Sequence, residues 1–407
     1  LLGVRPVVAG ADTRVPEEGQ TDGPQTAEPE APLACDPDGV QASGAIYRIC
    51  MPALLPWNGD LVVFAHGYVP PTEPVGIPED QMTLPGGISI ADVVTLLGYG
   101  FATTSYSTNG LAVREGLADL VDVVDLFVAE KGVPETVYLV GASEGGLITV
   151  LAVEQRPEVF DGGLALCGPY GDFHRQTDHF GDFRVVFDYF FPGLMPGSPV
   201  HIPDWLLDGW DAFYEATVRP QIQDPANAGR VAQLLSVTQA AYDPAEPSTQ
   251  EEAIYDLLRY NVFATNDAGD KLGGQPYDNQ DRIYSGSLDD GRLNADISRF
   301  QGDPAALDEI EAYYQTSGRL TAPLVTLHTT LDPIVPYWHA TLYRAKVIAA
   351  DNVALHEHFI ADGYGHCLFT STEVLGAFNR MVDMVQSPPA YEPVFRQYLP
   401  LADLVWR

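Results

Sequence analysis

Lysine is almost missing from this chain: Lys131, Lys271 and Lys346 are the only three in 407 residues, and Lys and Arg together number 21 against 56 Asp and Glu. A formal net charge of -35 repels nucleic acid and anionic headgroups, so neither is expected as a partner. The acidity reads as a solvated surface, suited to solubility or to high salt. No apolar run is long enough to span a membrane as a helix. There is no phosphate-binding loop, no G-x-G-x-x-G dinucleotide fingerprint, no pair of cysteines at zinc-knuckle spacing and no internal repeat, so no cofactor and no metal is expected. Cysteine is scarce too: Cys35, Cys50, Cys167 and Cys367 allow three pairings if all are bridged. A Cys35–Cys50 bridge closes a loop of 15 residues, worth about 3 kcal/mol in the chain-entropy picture. Two small buried hydrophobes and two incidental thiols are the alternative.

Hydrophobic residues make up 46% of the chain, ample for a large core with an insertion. Residues 1–34 are expected to be a flexible acidic leader, because "TRVPEEGQTDGPQTAEPEAPLA" has almost no large apolar side chain to offset the entropy of ordering. The opening without Met fits a removed export signal and a trimmed product equally. From "SGAIYRICMP" onward, strands and helices alternate: "DLVVFAHGY" (60–68) and "GYGFATTSY" (98–106) as strands, a helix over 114–132 stopped by Gly132 and Pro134, strand 136–141, helix 145–157 and strand 162–168. The pattern predicts an α/β fold with a mostly parallel central sheet flanked by helices.

Alternation stops near Gly168 and resumes at "APLVTLHTTLD", 322–332, followed by helix 338–349, strand 353–361 and helix 370–385. The interval is too long for a loop and contains helix-length segments such as "SVTQAAYDP" and "EEAIYDLLRYNVF". We read 169–320 as a mainly helical cap, and 35–168 with 321–407 as the core. The crowd of Phe180, Phe183, Phe187, Tyr189, Phe190 and Phe191 is expected to form the cap's own core or to line a channel for an apolar substrate. The Pro-containing tail after Gln386 is expected to pack back through its aromatics.

Ser143 stands in Gly-Ala-Ser-Glu-Gly between a strand and a helix, the setting in which G-x-S-x-G forms a nucleophile elbow rather than an ordinary turn. Gly141 and Gly145 remove side chains that would collide in so tight a turn. A serine hydroxyl needs a base, and the base an orienting acid. His366, in the Gly-containing loop "IADGYGHCLF", is the expected base; His66, His174, His179, His328, His356 and His358 have weaker settings. Asp332, ending a strand before Pro333, is the expected acid, and Asp362 is too close to His366 in sequence to serve. The backbone N–H groups of Glu144 and Tyr68 are the expected oxyanion donors. Asp267, Asp270, Asp278 and Asp281 offer oxygen ligands for calcium, but without the order of an EF-hand, so a solvated loop is the preferred reading.

"LVVFAHGY", "GASEGG", "TTLDPIVP" and "GYGHCLF", in this order, resemble the α/β-hydrolase superfamily, and more closely its exported bacterial serine esterases with a large cap after the sixth strand. The resemblance covers about 36–168 and 321–386. It implies Ser143, Asp332 and His366 as nucleophile, acid and base, Tyr68 and Glu144 at the oxyanion hole, and a secreted or periplasmic location. Tannase and feruloyl esterase types are partly similar. They carry one cysteine beside the serine and another beside the histidine, whereas here Cys367 follows His366 but Ala142 precedes Ser143. Beside that likeness, Cys167 is expected to replace the missing partner, giving Cys35–Cys50 and Cys167–Cys367. The expected activity is carboxylic ester hydrolysis through an acyl-enzyme, on a small-molecule or polymeric ester. An amidase or peptidase with the same triad, an aromatic-ester or polyester hydrolase, and a noncatalytic binding protein on this scaffold are the alternatives.

Overall fold

The computed structural model describes residues 35–84 and 87–387; the expected leader and the tail from residue 388 lie outside them. Strands β1 (Gly39–Val40), β2 (Ile46–Cys50), β3 (Asp60–Ala65), β6 (Gly100–Thr104), β7 (Thr136–Ala142), β8 (Gly162–Leu166), β9 (Leu324–Leu331) and β10 (His356–Tyr364) form one sheet in the order β1-β2-β6-β3-β7-β8-β9-β10. Pairing is parallel from β6 to β10 and antiparallel at the β1-β2-β6 edge. A two-stranded hairpin, β4 (Thr83–Leu84) with β5 (Ile88–Ser89), lies outside it.

Helices cover both faces, which is why the strands read as near-continuous apolar runs. Leu61, Val63 and Ala65 of β3 point to the face carrying α2 (Val113–Lys131) and α3 (Glu144–Gln155), while Val62 and Phe64 point to the face carrying α1 (Ile90–Leu96) and α12 (Ser371–Gln386). This is the two-residue alternation of a strand, with both sides buried.

Between β8, the sixth strand of the main sheet, and β9 the chain runs through α4 (Phe173–Phe190), α5 (Asp204–Phe213), α6 (Arg219–Gln223), α7 (Ala228–Thr238), α8 (Ser248–Leu272), α9 (Asp290–Asp296) and α10 (Pro304–Tyr313). Phe183, Phe187, Phe190 and Phe191 are buried in an apolar cluster of this insertion with Trp210 and Tyr214. α10 instead sends Ala306 and Ile310 into the cluster beneath the sheet. α11 (Trp338–Ala349) follows β9.

Three local expectations are corrected. "SVTQAAYDP" is mostly not helix: α7 ends at Thr238 because Gln239 turns left-handed (φ 53°) and caps it. "NDAGDKL" is not a loop but the last turns of α8, where Asp267 pairs with Lys271 at 2.9 Å and accepts the Leu111 N–H at 2.7 Å. The last strand begins at His356 and runs to Tyr364, bulged between Ala361 and Tyr364, so the histidine loop is shorter than its sequence implies.

Candidate active site

Strand order reverses at β3: the chain goes from β3 to β6 on one side and then to β7 on the other. The carboxyl ends of β3 and β7 therefore flank a crevice of the kind in which open α/β sheets bind ligands. "HGY" leaves β3 there, and Ser143 leaves β7.

Ser143 lies between β7 and α3 with φ 57° and ψ -120°, a left-handed conformation that costs a non-glycine residue energy and is held by its surroundings. Those surroundings need the glycines. A Cβ on Gly145 would lie 2.1 Å from the Ala65 carbonyl oxygen, and one on Gly141 would lie 2.1 Å from that of Gly145. The Ser143 N–H is anchored to the Leu166 carbonyl at 2.9 Å.

His366 Nε2 stands 2.8 Å from Ser143 Oγ, and its Nδ1 stands 2.7 Å from Asp332 Oδ2. Asp332 is fully buried, and its other oxygen accepts the N–H groups of Ile334 and Val335 at 2.9 and 3.0 Å. One carboxylate oxygen is thus occupied by the backbone turn at Pro333 while the other is left for the imidazole. Asp362 is exposed on β10. The histidine loop is tied to β9 by Gly365, whose N–H donates to Leu331 and whose carbonyl accepts from Thr329 Oγ1.

Disulfides join Cys35 to Cys50 and Cys167 to Cys367. The second fastens the residue after β8 to the residue after His366, and Cys367 Sγ is 3.5 Å from His366 Nε2. Cys167, His366 and Cys367 form the one cluster of potential metal ligands among the described residues, but sulfurs held in a disulfide are not thiolate ligands.

Gly67 passes so close to the elbow that a Cβ there would lie 3.1 Å from Ser143 Cβ. Gln81 fixes this loop by accepting the Gly67 N–H at 2.7 Å and donating to the Tyr68 carbonyl at 3.2 Å. The backbone N–H groups of Tyr68 and Glu144 have no hydrogen-bond acceptor among the described residues.

The Glu144 side chain turns inward, where Oε1 accepts the Ala112 N–H at 2.9 Å and Oε2 has no partner. Burial raises its carboxyl from an ordinary 4.5 to about 8, against the opposing effects of that hydrogen bond and of Lys271. Because the folded pKa is the higher one, the folded state holds the proton while the unfolded chain loses it. Stability should therefore be intact below about 4.5 and fall as pH rises towards 8. Glu144→Gln, which cannot ionise, should gain on the wild type by a few kcal/mol across that window. Urea midpoints of both proteins from pH 5 to 9 check this; a constant difference sinks it.

Sequence reasoning missed several neighbours of Ser143, His366 and Asp332. His328, buried behind Asp332, places Nε2 2.8 Å from the Val335 carbonyl and 3.7 Å from Asp332 Oδ2; burial lowers its pKa. Strand position alone gave no sign of that support. His66 is likewise no base: it stacks on Tyr106 at 3.9 Å, its Nδ1 is 2.7 Å from the Gly67 carbonyl, and burial pushes it down to about 4. α8 packs beside these loops. Tyr260 packs on Ile334, Val335 and Tyr68, the Tyr68 hydroxyl donates to the Phe263 carbonyl, and the Tyr364 hydroxyl donates to that of Thr249. Asp256, one helical turn before Tyr260, is raised to about 7, chiefly by burial and against the pull of His366.

With this geometry in view, the chain has the α/β-hydrolase fold. The prolyl oligopeptidase family matches residues 98–180, the segment that contains the elbow. Feruloyl esterase B from Aspergillus oryzae shares the fold at a TM-score of 0.50 and 14% identity, with 86% of this chain and 79% of that one covered. An esterase from the same organism aligns at 0.45 and 16% identity over 85% and 77%. A structure described as a dipeptidyl aminopeptidase IV from Bacteroides ovatus aligns at 0.44 and 13% identity over 86% of this chain, which spans only 36% of that protein. No curated protein sequence matches at a significant level. The likeness to the feruloyl esterase is one of fold, and the likeness to a peptidase family is confined to residues 98–180, so the two together do not separate ester from peptide.

Proposed function

We propose that the protein hydrolyses carboxylic esters through an acyl-enzyme on Ser143. The observation that carries this reading is the continuous line from Ser143 Oγ through His366 to Asp332, with links of 2.8 and 2.7 Å, mounted on a left-handed elbow. In this reading His366 Nε2 takes the serine proton as Oγ attacks the ester carbonyl, and Asp332 holds the imidazole in the tautomer with Nδ1 protonated. The Tyr68 and Glu144 amides, which have no acceptor among the described residues, receive the oxyanion. His366 then gives its proton to the leaving alcohol and takes one from water, which releases the acid. Each step draws on side chains and amides of this chain.

The helical segment 169–320 serves as a lid over the crevice; the packing of α8 against Tyr68 and Val335 supports that role. Two disulfides favour an oxidising compartment, hence a secreted or periplasmic protein.

A peptidase or amidase is the second reading, favoured by the prolyl oligopeptidase match over 98–180. Turnover of nitrophenyl esters at roughly 1 s⁻¹ or faster, with no release from nitroanilides of the same acyl group or of short peptides, is the expected result. Comparable rates on a peptide nitroanilide would overturn the ester reading in favour of the peptidase.

A further inference from the structure

On the face covered by α1 and α12, the sheet and its helices do not close against each other. They leave a cavity of about 100 Å³. Its floor is made by alternate residues of three adjacent parallel strands, Val62 and Phe64, Val140 and Ala142, Leu164 and Leu166, so it spans three strands on one face of the sheet. One end lies at the amino ends of the strands, where Leu97 and Tyr99 border it and Leu97 is 53% exposed. The other end lies at the carboxyl ends, bordered by Ala142, Cys367 and Gln81. Ala142 precedes Ser143, Cys367 follows His366, and Gln81 is the side chain that fixes the Gly67–Tyr68 loop.

The lining also says what fits. Gln81 is its main polar group near the elbow, and both ends of that amide are already bonded to the backbone. Among the described residues, no charged side chain lines the cavity. Polar or charged ligands would enter it without partners, whereas hydrocarbon would replace water against aliphatic walls. Interiors are ordinarily close-packed, so an apolar space of this size in the middle of a three-layer core is a standing cost unless something occupies it.

We infer that this cavity is an acyl-chain site, taking the linear hydrocarbon tail of the ester's acyl group while the carbonyl is delivered to Ser143 beside the Gly67–Tyr68 loop. The inference rests on the ester-hydrolase reading and narrows it to esters of medium-chain aliphatic acids.

Two measurements test it, one of them independent of turnover. In Ser143→Ala protein, octanoate should bind at least tenfold more tightly than acetate by calorimetry, since a few buried methylenes are worth that much. Val94→Phe, which fills the cavity from α1, should remove most of that difference. Leu97→Glu, at the exposed mouth where folding is little disturbed, should reduce it by placing a charge on the path. In the otherwise wild-type enzyme, the ratio of kcat/KM for nitrophenyl octanoate over acetate should fall at least tenfold with either substitution. A chain-length preference that survives both variants, or the absence of octanoate binding, would overturn the cavity as the acyl site. Octanoate binding sensitive to both variants, in a protein that hydrolyses no ester, would leave the hydrocarbon site standing and overturn the hydrolase reading instead.

Discussion

Ser143→Ala is expected to lower ester turnover by about 10⁶-fold in kcat while leaving the fold intact. Serine and alanine share the Cβ, so the left-handed backbone at φ 57° carries the same strain in both, and the Ser143 N–H still reaches the Leu166 carbonyl. Only Oγ is lost, and with it the atom 2.8 Å from His366 Nε2. Intact mass after treatment with a fluorophosphonate should show one adduct on the wild type and none on the variant. Turnover within tenfold of wild type in the purified variant would place hydrolysis elsewhere and favour a binding protein built on this scaffold.

Asp332→Asn should have the second-largest effect, a loss of about 10⁴-fold in kcat. The two side chains have the same shape, and an amide oxygen can still accept from the Ile334 and Val335 N–H groups. What changes is the position now held by Oδ2, which accepts from His366 Nδ1 at 2.7 Å. An amide nitrogen there can only donate, which forces the proton to Nε2 and leaves Ser143 without a base. A kcat loss with an unchanged melting temperature is the expected pattern. A loss under tenfold would mean that Asp332 holds the Pro333 turn and little more.

The two substitutions act on residues that stand out in the chain for different reasons. Ser143 stands out because a turn this tight excludes side chains at Gly141 and Gly145, and steric exclusion leaves a mark in sequence. Asp332 stands out because Pro333 ends a strand. The strands themselves were legible because burial on both faces of β3 demands an unbroken apolar run. What supports the site was not legible. Gln81 braces the Gly67–Tyr68 loop from a short 3-10 turn, and any loop glutamine looks the same. His328 backs Asp332 from inside a strand, and nothing in its neighbours distinguishes a histidine hydrogen-bonded to Val335 from one facing solvent. The packing of α8 beside the Gly67–Tyr68 loop depends on contacts between Tyr260 and residues such as Tyr68, nearly two hundred positions away. The aspartates of "NDAGDKL" pointed the wrong way, because an acidic Gly-containing stretch resembles a loop until Lys271 and the Leu111 amide take up Asp267.

The Cys167–Cys367 bridge spans 200 residues, with the whole helical insertion inside the loop it closes. A protease that nicks the insertion once produces two chains, one carrying Ser143 and the other Asp332 and His366, yet the bridge keeps them one molecule. Digests run without reductant should show a single band that separates only when thiol is added. The nicked species would also keep Ser143, Asp332 and His366 in register. An oxidised environment thus confers tolerance to cleavage on the helical insertion, whereas the Cys35–Cys50 bridge, closing only 15 residues, confers none there.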